Sequence, residues 1–461
     1  MLRLLVIADV GGEETRHIGD EAMLEANLDG LRRLIPEVAF TLVSRDPAWT
    51  AGRYRVDAVA PFGFSGDRLG VAKRGAMLER LLADATGRGR EDATIDAVAR
   101  ADALVVSGGG NLSSLWPDLL YERAALMHLA RIFGKPAVLL GQTLGPALGA
   151  DERRLLADTL STARFVGVRE IPSALLAGEL GVPPERLWYQ CDDALLLEGT
   201  SDRSGPPSIA VTIDPQVRAA GEALFGSFVS QLRALSRTTG APLILVPHAF
   251  GSESTNRSSD LTEARVLAER LGLSQTTVAA GLDAAPARQV TGAASLVISS
   301  RYHPIVFGLG AAIPSIAIFR DEYCRIKVQG ALSHARRDRW ALTFDDVVRG
   351  ALLKTALELW RARDKLRRGL ESRREAWRAE SRERWSAVLR ALDPAKSIPP
   401  APRSTMFGRP RREVAPAIAS ARAARRHARS LAARRRLRRK VERYASSLRS
   451  SVQRIFSAAT K

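Results

Sequence analysis

The 461-residue chain contains only two cysteines, Cys191 and Cys324, which excludes a disulfide framework and leaves a structural zinc site without a ligand set. Its formal charge of +19 is concentrated at one end: residues 399–461 carry 18 Lys and Arg against Glu413 and Glu442, so the preceding residues hold only +3 and the high isoelectric point says little about their substrate. The longest apolar passage, 304–319, carries Pro304 and Pro314 and falls short of the roughly 20 residues a membrane-spanning helix needs, so none is expected.

At roughly 150 residues per domain, the length accommodates two or three domains. The apolar run 4–8 gives way to Asp9 and Gly11-Gly12, too short for a signal-peptide core, and is expected to be a first strand in a cytoplasmic protein. After it comes HIGDEAML, residues 17–24, in which Gly19 allows a tight turn and Asp20 is placed to cap a helix over 20–35 with its carboxylate on the ligand side. Further strands are expected at 39–44, 56–60, 103–107, 137–141 and 165–168, with helices at 118–133 and 151–162. Two strand ends carry glycine motifs. Gly108, Gly109 and Gly110 would let a backbone approach a ligand closely, and GQTLGP follows at 141–146; neither is a Walker loop or a spaced dinucleotide fingerprint. Arg169 closes the strand at 165–168 and offers a cation.

The segment 198–208, EGTSDRSGPPS, has the composition of a linker, and strand–helix alternation restarts beyond it. Strands are expected at 209–213, 243–246, 296–299 and 313–319, and helices at 218–237, 261–271 and 304–310. His248 in VPHAF is a lone histidine, a type more often structural than catalytic. In SSRYHPIVFGLGAAIPSIAI, residues 299–318, Arg301 and His303 stand two apart at the mouth of a βαβ unit, where ligands bind outside strand carboxyl ends and against helix N-termini. A guanidinium there can grip a carboxylate or phosphate at two points, and an imidazole can move a proton. The alternation predicts an α/β protein of two Rossmann-like domains facing across a cleft, at 1–198 and 206–344, followed by a charged helical segment at 345–398 and a basic tail at 399–461.

Taken in order, GDEAML, GGGNL, GQTLGP, VREIPSALLAGELGV, CDDALLL, VPHAF with Asp260, SSRYHPIVFGLGAAIPSIAI, and Tyr323 with Lys327 and Gly330 resemble the polysaccharide pyruvyl transferase family over about residues 4–331. The resemblance implies a GT-B-like enzyme that needs no cofactor and moves a pyruvyl group from phosphoenolpyruvate to a sugar as a ketal. It implies a donor site drawing on Arg301, Arg169, Lys327, His248 and the glycines 108–110, no metal, His303 as the acid that protonates the methylene carbon, and Asp20 as the base on the acceptor side. The chain departs from the family at His17, at Asn111–Ser114 and at Asp193, which bears on the acceptor more than on the donor. Two other readings share the fold. A nucleotide-sugar glycosyltransferase would need a carboxylate to grip a ribose, and Asp321 or Glu322 could serve; a glycan-binding protein without activity would have no use for Arg301 and His303.

In the tail, Leu437, Val441, Tyr444, Leu448, Val452 and Ile455 recur every three or four residues beside the positive run 434–440. This is the pattern of a basic amphipathic helix that can lie on an anionic membrane surface at the inner face of the cell, where the acceptor could be lipid-linked. Nucleic-acid binding is the less favoured reading, and a solvated tail needs no partner.

Overall fold

Apolar runs such as LRLLVI and ALVV do not alternate with polar residues, because helices cover both faces of the sheets they enter. The computed structural model describes residues 1–12, 16–65, 69–86, 92–197, 204–250 and 259–398. The tail from 399, with its expected amphipathic helix, and half of the predicted linker lie outside the described residues.

The first sheet runs Asp57–Val59, Val38–Val43, Leu2–Ile7, Ala103–Val106, Ala137–Leu144, Phe165–Val168, Leu187–Tyr189, with Gly109–Leu112 paired beside Ala137–Leu144; all these pairings are parallel. The second runs Thr276–Val278, Leu243–Leu245, Ile209–Thr212, Leu296–Ser299, Ser315–Phe319, Ala341–Thr343, again all parallel. Strand order reverses between Leu2–Ile7 and Ala103–Val106 in one sheet and between Ile209–Thr212 and Leu296–Ser299 in the other. Crevices of doubly wound sheets open outside the carboxyl ends at such points.

Several elements differ from expectation. The helix expected at 218–237 is two helices, Pro215–Ala219 and Glu222–Thr239, interrupted at Gly221, whose φ of 106° is costly for any residue with a Cβ. The strand expected to stop at 141 continues to Leu144, so that it contains four of the six residues of the GQTLGP motif. The charged segment is a short helix, Phe344–Val348, and then a 42-residue helix, Ala351–Leu392, about 63 Å long at 1.5 Å per residue. Of its charged residues only Arg384 is buried, and its apolar residues are shared: Leu359, Leu370 and Trp377 join the core of the second domain, while Ala387, Val388 and Leu392 join that of the first. The helix thus straps the two domains together.

The domains meet closely. The helix Ile18–Leu34 gives Ile18, Ala22 and Met23 to the core of the second domain and Leu24, Leu28 and Leu31 to that of the first. Arg16–His17 pairs antiparallel with Ala249–Phe250, and the Ile18 N–H donates to the His248 carbonyl at 3.2 Å.

Candidate active site at the interdomain junction

Four segments converge where the two reversal points face each other. From the first domain come the start of the helix Ile18–Leu34 and the glycine run after Ala103–Val106; from the second come the starts of the helices Tyr302–Gly310 and Glu322–His334. The helix expected at 304 begins at Tyr302, so Arg301 is its N-cap residue and His303 lies in its first turn. The helix expected at 20 begins at Ile18, so Asp20 is not its cap; that place belongs to His17, whose side chain makes no capping bond. Asp20 instead stands in the first turn, where the helix dipole favours a carboxylate.

His303, its side chain 12% exposed, packs against Gly19, where any Cβ would overlap its ring. Its Nε2 has no hydrogen-bond partner and lies 3.9 Å from Asp192 Oδ2. Burial, then the charges of Arg169, Lys327 and His17, hold this imidazole well below its ordinary pKa, so it is neutral at pH 7. The resting His303 is therefore not a protonated acid. Asp20 is shifted the other way: burial, reinforced by Asp9, lifts its carboxyl to about 6 against the pull of His17, Lys327 and Arg169.

The cations divide into engaged and available. Arg169 is fully buried, bound to Asp192 at 2.5 Å, to Glu170 at 3.1 Å and to the Thr143 hydroxyl at 3.0 Å. Two carboxylates already neutralise it, while its Nη2 is buried without a partner. Arg301 donates from Nη2 to Asp260 Oδ1 at 2.6 Å and from Nε to both carboxylate oxygens. Asp260 also accepts from the N–H groups of His248 and Ala249, at 3.2 and 3.0 Å, so it fixes the Arg301 fork and the histidine loop together. Lys327 has no carboxylate within ion-pairing distance among the described residues. Its Nζ lies over the Tyr302 and Tyr323 rings, at 5.2 and 4.8 Å, and 3.5 Å from the Tyr323 hydroxyl, which donates to the Gly110 carbonyl at 2.9 Å.

The glycines separate in the same way. A Cβ on Gly110 would fall on the Tyr323 hydroxyl, whereas one on Gly108 would come 2.8 Å from Asp193 and Met23. Gly109 faces Asn111. Both ring nitrogens of His248 are buried without partners, and burial, then His303 and Arg301, push its pKa down to about 3, so it is neutral where it packs on Phe307. Asp321 caps its helix by accepting from the Cys324 N–H at 2.9 Å, and Glu322 pairs with Arg325 at 2.6 Å. Composition alone assigned no role to Asp192, Asp260 or Tyr323, although all three stand in the motifs quoted from the sequence.

The family model that matches this chain is that of polysaccharide pyruvyl transferase, over residues 17–321. No curated protein matches it. Among solved structures, a Listeria monocytogenes protein assigned as a UDP-N-acetylglucosamine 2-epimerase is similar at 12% identity and a TM-score of 0.53, over 86% of this chain and 99% of that one. HepE of Anabaena, in complex with UDP-glucose, is similar at 13% identity and a TM-score of 0.51, over 84% of this chain and 99% of its own. At these identities the likeness is one of fold, and the fold is GT-B-like.

Proposed function

This chain belongs to the polysaccharide pyruvyl transferase family, and on that premise we propose that it transfers a pyruvyl group from phosphoenolpyruvate to two hydroxyls of a sugar, forming a ketal. The observation that carries this reading is the convergence of a neutral imidazole, an unpaired ammonium and a carboxyl titrating near 6 at one junction. Phosphoenolpyruvate brings a carboxylate and a phosphate. Lys327 receives one anionic group and Arg301, held in register by Asp260, stands at the rim for the other. Arg169 acts through its field and through Asp192.

The donor's negative charge offsets the cations that depress His303 and restores its proton affinity. His303 then gives a proton to the methylene carbon, which becomes the methyl group, and the electron pair of the carbon–carbon double bond forms the new C–H bond. Asp20 takes the proton of the attacking hydroxyl; phosphate leaves with its bonding electrons, and a second hydroxyl closes the ketal while losing its own proton. One proton ends on carbon and the other leaves with phosphate or solvent.

The decisive measurement is phosphate release from phosphoenolpyruvate in the presence of a panel of free, nucleotide-linked and lipid-linked sugars. Release dependent on both substrates, abolished by His303→Ala with an unchanged melting curve, is expected; turnover within threefold of the unmodified protein would remove His303 from the mechanism.

A further inference from the structure

The first domain holds an open pocket at the carboxyl ends of Leu2–Ile7 and Val38–Val43, lined among others by Asp9, Arg45, Asp118, Glu122 and Arg123. Most of its charges are already spent. Glu122 accepts from the N–H groups of Phe62, Gly63 and Phe64 at 2.7 to 2.9 Å, and Asp118 lies 3.5 Å from Arg45. Arg123 is the exception. It is only 1% exposed, and its one hydrogen bond runs from Nη1 to the Leu119 carbonyl in its own helix, at 3.1 Å. Nε and Nη2 are buried without an acceptor, and no carboxylate stands within ion-pairing distance among the described residues.

Such a guanidinium is expensive to bury. Water in the pocket would satisfy the two N–H groups but bring no countercharge, whereas an anion would do both. The pocket also lies in the electrostatic field of the junction, since Asp9 acts on both Arg123 and Asp20.

We propose that the sugar acceptor carries an anionic group, a carboxylate or a phosphate, which Arg123 receives in this pocket. Asp9 accepts from a neighbouring hydroxyl and turns the sugar towards Asp20. The proposal rests on the transfer reading above, in that it calls the ligand the acceptor, but its test does not require transfer.

Calorimetric titration of the full chain without donor would compare methyl glucoside, methyl glucuronide and glucose 6-phosphate. At least one charged sugar should bind about tenfold or more tightly than the neutral one, as expected for a charge-assisted fork, and the tighter of the two names the anion. Arg123→Met should abolish that preference and raise the melting temperature, since it removes an uncompensated buried charge; Arg123→Lys should keep part of the preference. Equal binding of charged and neutral sugars by the unmodified protein, or a preference that survives Arg123→Met, would overturn the proposal. A lowered melting temperature for Arg123→Met would overturn it as well, by showing a structural cation. Failure of transfer reads differently: binding of the charged sugar with no phosphate release from phosphoenolpyruvate would discard the pyruvyl reaction and leave the anion site standing.

Discussion

Gly19 and His303 are in such close contact across the domain junction that a Cβ on the glycine would overlap the imidazole. The contact sets where the ring points, because the first turn of one helix forms the wall against which the other presents its histidine. Gly19→Ala should displace the ring and reduce kcat by tenfold or more. Phosphate-release kinetics with a parallel thermal melt would check this, and unchanged kcat would show that the ring has room to move without consequence.

Asp20 supplies a pH signature. Its carboxyl titrates at about 6, raised by burial and Asp9, so the base form is present above that pH and is lost as pH falls through it. kcat/KM should therefore drop on the acid side with a limb near 6. Asp20→Asn should remove the limb and lower the rate by about 100 to 10,000-fold, the usual contribution of a general base. A limb that persists in the variant would belong to another group.

Lys327 and Arg301 should fail in different ways. Lys327→Gln removes the cation that has no carboxylate partner, so the KM for phosphoenolpyruvate should rise at least tenfold. Arg301→Lys keeps the charge but breaks the two-point contact with Asp260, so the melting temperature should fall along with donor affinity. If the two variants gave the same profile, the distinction between engaged and available cations would be void.

The alternation of strands and helices was legible in the sequence because strands buried on both faces are continuous apolar runs. The glycine and Arg-x-His motifs were legible because they follow those runs directly. Pairing was not. Arg169 looks like a free strand-end cation until Asp192, 23 residues on, is seen to neutralise it. Arg123 sits seven residues into the helix Pro117–Ile132, whose residues from Leu120 to Ala130 are all buried, and only this packing shows that it is buried and without a carboxylate partner among the described residues. The helix Ala351–Leu392 hides its buried stripe because it contacts two domains in succession, so no single face is apolar along its whole length.

Arg384 in that helix binds Asp193, and both are buried. Asp193 also accepts from Asn27 and Gln190, so it stands at the centre of a buried polar network. Arg384→Ala would leave the carboxylate buried with its countercharge gone and should destabilise the fold by about 3 kcal/mol. Urea unfolding would measure it. A loss below about 1 kcal/mol would mean that the strap is held by Trp377 and its apolar neighbours alone.

The last expectation concerns residues 399–461, where +16 of the +19 charge resides. We propose that this segment draws the enzyme to an anionic membrane surface, each nearby Lys or Arg contributing about 1 kcal/mol. Both sheets and the strapping helix end before it, so a chain lacking 399–461 should remain folded and active on a soluble acceptor. Sedimentation of both forms with neutral and anionic vesicles, at low and high salt, separates the outcomes. The full chain should bind anionic vesicles, less at high salt because the Debye length shortens, and the truncated chain should not. Equal binding by both would discard a membrane role for the tail, and tight, salt-sensitive binding to DNA without vesicle binding would assign the tail to nucleic acid instead.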